Sequence, residues 1–117
     1  IPGHPFATAG LGHARIGAGL YLSASLALQS LLSLQPEMID VAYAEMLLPP
    51  RLELVKAAVT ITSRLKEKRD GGTYAFLLAY IGHQLGDREM IERGLSVFEE
   101  REGSNDPFVK LLNRIWL

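Results

Sequence analysis

LGHARIGAGLYLSASLALQSLLSLQP (Leu11–Pro36) reads as the end of one helix, a glycine turn and a complete second helix. Gly17 and Gly19 mark the turn. Beyond it Leu20, Ala24, Leu28 and Leu31 recur at three- and four-residue steps, the apolar stripe of a helix. Pro36 ends that helix, because proline lacks the amide donor and restricts the residue before it. The layout returns in LAYIGHQLGDREMIERGLSVFEEREG (Leu78–Gly103). Leu11-Gly12 answers to Leu78-Ala79, Gly19 to Gly86, Ala24 to Ile91, Leu28 to Leu95 and Leu31 to Phe98, always 67 residues apart.

Outward from these two hairpins, breakers cut the rest of the chain into helical pieces. His4-Pro5 opens a first helix, with helical spacing from Phe6 to Ile16. A short apolar helix is expected over Met38 to Leu48, stopped by Pro49-Pro50. Arg51 to Lys68 follows as an amphipathic helix with Leu54, Ala58, Ile61 and Leu65 on one face and a basic last turn. Asp70-Gly71-Gly72 is a turn, and Thr73 to Leu85 is the next helix. Asp87 caps the helix after Gly86, and Asp106 with Pro107 opens a terminal helix, Phe108 to Leu117. Seven helices and no strand are expected.

The offset is close to twice the roughly 34-residue period of tetratricopeptide repeats. Leu11 to Pro36 resembles that family's pattern element by element. Gly12 is the small residue of the first helix and Gly19 the turn; Ala24, Leu28 and Leu31 form the second helix's core, and Pro36 closes it. Small side chains at such positions let paired helices nearly touch. The family's aromatic positions fall instead on Thr8 and Ala75, and on Arg15 and Gly82; Ile91 replaces a small residue and Gly103 the closing proline. The resemblance implies an all-α fold, a short right-handed superhelix (solenoid) of three helical hairpins plus a C-terminal capping helix. Its units would be residues 5–36, a degenerate 37–69 and 71–103, with the cap at 106–117, making one domain of 1–117.

Composition agrees with one folded domain: 117 residues, 48 % hydrophobic and 21 % charged. The net charge of -1 argues against a nucleic-acid surface. The chain has no cysteine, hence no disulfide and no thiolate chemistry. Ile16 to Leu34 carries no charge, but its four serines, Gln29 and two glycines favour a buried helix over a membrane span. A soluble protein, cytoplasmic by default, is the expectation. The first residue is Ile1, which suggests a processed or excised piece.

No catalytic pattern stands out. His4, His13 and His83 are not paired at a three- or four-residue step, and neither a phosphate loop nor a nucleophile elbow occurs. No enzyme activity, cofactor or metal is therefore expected. In the family it resembles, first helices line an inner, concave face. Carried through the repeat register, that face selects Phe6, Ala9, His13, Ile16 and Gly17 in the first unit. In the third it selects Thr73, Phe76, Tyr80, His83 and Gln84, and the middle unit offers Tyr43 and Leu47. The candidate protein-binding groove is thus Phe6, His13, Tyr43, Phe76, Tyr80, His83 and Gln84. The expected function is a non-catalytic protein–protein interaction module taking a peptide or protein segment. The alternative is a structural or self-association domain of a longer protein, adhering through the apolar C-terminal helix.

Overall fold

The fold is described from a computed structural model, which places residues 4–117. Its centre is the segment that is apolar on every side. The helix Gly71–Leu85 carries Tyr74, Ala75, Phe76, Leu77, Leu78, Ala79, Tyr80 and Ile81 in succession, all buried. A helix without a polar face has to be surrounded, and the other elements supply the surround.

In chain order the helices are α1 (Pro5–Gly17), α2 (Tyr21–Leu34), α3 (Arg51–Thr62), α4 (Gly71–Leu85), α5 (Arg88–Glu102) and α6 (Pro107–Trp116). Two 3-10 turns, Pro36–Met38 and Glu45–Leu47, lie between α2 and α3. Among the described residues there is no strand, and no helix is long and apolar enough to cross a membrane. α5 makes the most extensive contact with α4, while α2 and α3 cover other sides of it. α1 pairs with α2, and α6 packs on α5. The radius of gyration, 12.8 Å, is that of a globular domain of this length, for which about 13 Å is expected.

Both turn glycines adopt positive φ, Gly19 at 79° and Gly86 at 70°, a conformation costly for any residue with a Cβ. Gly12 sits where a Cβ would lie 2.8 Å from Leu28 Cγ, so α1 and α2 meet at close range there. Asp87 accepts from the Met90 amide and Asp106 from the Phe108 and Val109 amides, both acting as N-caps.

Two expectations need correction. Met38 to Leu48 is not an α-helix: Met38 ends the first 3-10 turn, Glu45–Leu47 is the second, and residues 41–44 between them belong to no regular element. Its backbone groups are taken by side chains of α1, α4 and α6, which replace the intrahelical bonds. The amphipathic helix expected over Arg51 to Lys68 ends at Thr62. There the Thr62 and Ser63 hydroxyls donate to the carbonyls of Ala58 and Thr60, competing with the last turn. Arg101 of α5 then ties down the loop by donating to the carbonyls of Leu65 and Lys68.

Candidate functional site

Of the predicted groove residues, His13, His83 and Gln84 hold a piece of the same chain, a piece that itself carries Tyr43. Residues 39–48 cross the face formed by α1 and α4 as a strap that ends in the 3-10 turn Glu45–Leu47. Gln84, in the last turn of α4, grips it by its backbone. The Gln84 Nε2 group donates to the Val41 carbonyl (3.0 Å), while Oε1 accepts from the Tyr43 amide (2.9 Å). A neighbouring parallel strand would engage the same two backbone groups, those flanking residue 42. The His83 Nε2–H donates to the Asp40 carbonyl at 3.2 Å. The Trp116 indole N–H, from α6, donates to the Ile39 carbonyl at 2.8 Å. Four side-chain-to-backbone bonds thus hold residues 39–43 without reading their side chains.

His13 anchors the far end. Its Nδ1 lies 2.8 Å from the Leu47 carbonyl, which can only accept, so the proton is on Nδ1. Nε2, 2.8 Å from the Tyr80 hydroxyl, is then the acceptor and the phenol donates. His13 and Tyr80 are themselves separated by the repeat offset of 67. Burial lowers the His13 pKa, partly offset by the bond to Leu47. Burial raises Tyr80 well above the usual phenol range, assisted by the charge and hydrogen bond of the neighbouring Tyr43. Both rings are therefore neutral near pH 7, and Tyr43, Tyr80, His13 and Leu47 form one chain of polar contacts.

Aromatic contacts close the face. Tyr43 of the strap sets its ring edge against His13 at 4.8 Å and against Phe6 at 6.3 Å. His83 stacks on Trp116 at 5.4 Å. Phe76 belongs elsewhere: fully buried among Phe98, Phe108 and Trp116, it is a core residue beneath the face. Tyr80 is also buried and presents only its hydroxyl to the His13 end. Phe6, at 56 % exposure, is the most open member of the set. Ala9 and Ile16 are buried beneath α1 and line no open surface. Beyond the strap the face continues as a cleft of about 350 Å³ bordered by Tyr43, Glu45, Leu48, Arg51, Gln84 and Leu85.

Sequence reasoning missed two contributors. Trp116 reads as one more apolar residue of the terminal helix, yet a buried indole needs an acceptor, and that need points to a polar partner. The strap itself alternates half-buried Val41 and Tyr43 with exposed Ala42 and Ala44, a period of two that signals extended chain. Among the described residues no group of three or more His, Asp or Glu side chains converges as a metal site. The chain matches no protein-family model, no curated protein and no solved structure.

Proposed function

We propose that the chain is a non-catalytic protein-interaction module whose α1–α4 face takes an extended peptide segment, and that residues 39–48 are its resident occupant. The observation that carries this reading is the paired grip of Gln84 on the Val41 carbonyl and the Tyr43 amide. Main-chain bonds of this kind give affinity for any extended segment, while flanking pockets select its side chains. Here the flanking contacts, Phe6 and His13 around the Tyr43 ring, favour an aromatic residue one step after the exposed Ala42. The cleft bordered by Glu45 and Arg51 offers room for a longer segment. The non-catalytic half of the reading rests on His13, since both its ring nitrogens are engaged, one by a carbonyl and one by a phenol.

A partner engages by displacing the strap in the same register. The test is capture on the immobilised chain, followed by elution with a synthetic peptide of residues 38–48. Specific release of the captured protein by this peptide, and not by the version with Tyr43→Ala, is the expected result. Capture that survives an excess of the peptide would place binding on another surface.

A further inference from the structure

Cations collect where α3 hands over to α4. Arg64, Lys66, Lys68 and Arg69 fall within residues 64–69 of that loop. On α5, Arg93, Val97 and Arg101 follow one another at four-residue steps and so share one side of the helix. A cleft of about 690 Å³ lies between the end of α3, the loop and this side of α5. Leu65 and Val97 give it an apolar lining, Lys66, Arg93 and Arg101 are its cations, and Glu100 is its one carboxylate.

These cations are not matched within the chain. Among the described residues the ion pairs are Arg64–Glu67 and Arg88–Glu92, so neither Lys66 nor Arg93 reaches a carboxylate, Glu100 included. Arg101 is fixed but not neutralised. Its Nη1 donates to the Lys68 carbonyl (3.0 Å) and its Nη2 to the Leu65 carbonyl (3.4 Å), and both acceptors are uncharged. It lies so close over Gly71 and Gly72 that an added Cβ would come within 2.7 Å and 3.1 Å of it. Three like charges around one cleft repel one another, and an anion entering between them turns that repulsion into attraction.

The α3 side of the cleft decides the kind of anion. Thr62 and Ser63 border it, and their hydroxyls donate to the carbonyls of Ala58 and Thr60. Each oxygen is left with lone pairs, which accept an N–H and repel the oxygens of a phosphate. No aromatic ring lines the cleft, so a nucleotide base has nothing to stack on. A peptide supplies the whole set: N–H groups for the hydroxyls, an aliphatic side chain for Leu65 and Val97, and carboxylates for the three cations. We propose that this cleft binds an acidic peptide segment in which an aliphatic residue is flanked by aspartate or glutamate. No residue of α1, α4 or the strap lines it, so the site is separate from the α1–α4 face and does not rest on the reading of that face.

The experiment is fluorescence anisotropy of a labelled peptide of alternating aspartate and leucine, titrated with the full chain at low salt. Three charge reversals are compared. Lys66→Glu and Arg93→Glu change exposed cations of the cleft that hold no partner to lose, while Lys110→Glu makes the same change of net charge on α6. Arg101 is left in place because it also ties down the loop. The wild-type chain and Lys110→Glu should bind alike, and Lys66→Glu and Arg93→Glu should each weaken binding at least about tenfold. A peptide with asparagine in place of aspartate should not bind, and neither inorganic phosphate nor oligothymidylate at matched charge should displace the acidic peptide. Circular dichroism melting establishes that each variant is folded. An acidic peptide that binds no better than its asparagine version would overturn the proposal, as would Lys110→Glu weakening it as much as the cleft variants. Displacement by phosphate or oligothymidylate as effective as by unlabelled peptide would show that the cleft does not select a peptide, and would overturn it too.

Discussion

His13 shows how one residue joins the fold to the candidate site. It sits on the buried side of α1, between a backbone carbonyl of the strap and a phenol of α4, and its environment fixes the tautomer. Protonation would put a donor at Nε2, facing the Tyr80 hydroxyl that now donates to it, and would place a charge in a buried position. The sign follows from the lowered pKa. The unfolded chain binds the proton at the ordinary value of 6.5 and the folded chain only below that. The His13 contribution is therefore complete above pH 6.5 and is lost progressively as pH falls from there through the depressed folded value. Urea midpoints measured across this range should fall toward acid in the wild type, and His13→Gln should flatten that part of the profile. Tyr80 gives the companion prediction. Because it is buried, Tyr80→Ala would open a cavity costing about 3–5 kcal/mol and would confuse binding with unfolding. Tyr80→Phe is the informative change: it leaves Nε2 without a donor, at a cost of about 1–3 kcal/mol in chemical denaturation.

At the scale of elements, two glycines on one helix make opposite predictions. Gly12→Leu drives a side chain into Leu28 and should destabilise the fold by about 1–3 kcal/mol. Gly10→Ala, placed in open space on the same helix, should stabilise the monomer by about 0.5–1 kcal/mol. Denaturation midpoints moving in the same direction would show that α1 is turned about its axis relative to this description. The hairpins were legible in the sequence because local chemistry decides them: apolar spacing, two glycines that accept positive φ, and aspartate caps. Met38 to Leu48 was not, because its apolar content fits a helix equally well while its backbone partners lie up to 77 residues away. The end of α3 was hidden for a similar reason. Arg101, on α5, reaches back to the Leu65 and Lys68 carbonyls of the loop that follows α3. The repeat register selects the groove residues, but whether a side chain there faces solvent depends on what crosses the face. Phe76 and Tyr80 lie beneath it and the strap lies across it.

On the scale of the whole molecule, α6 closes the domain. Val109, Leu112 and Trp116 are buried, and Phe108, Leu111 and Ile115 pack partly against the core. Its apolar side is thus engaged within the chain, and most of the open apolar side chains among the described residues lie on α1, α2, the strap and α3 instead. Deleting residues 114–117 removes Trp116 with its bond to the Ile39 carbonyl and its stack on His83. The loss of a buried tryptophan should lower stability by about 3–5 kcal/mol and should free the start of the strap, raising its amide exchange above that of α4. The central claim is that the α1–α4 face recognises an extended segment and is not merely sealed by one. The most direct measurement weakens the strap and supplies it again from outside. Tyr43→Ala loosens the resident segment while leaving every residue of α1 and α4 unchanged, and its melting temperature is followed against added peptide of residues 38–48. If the face is a binding site, the peptide raises the melting temperature in proportion to the logarithm of its concentration, and a scrambled peptide does not. A melting temperature that stays the same at every peptide concentration would contradict the account.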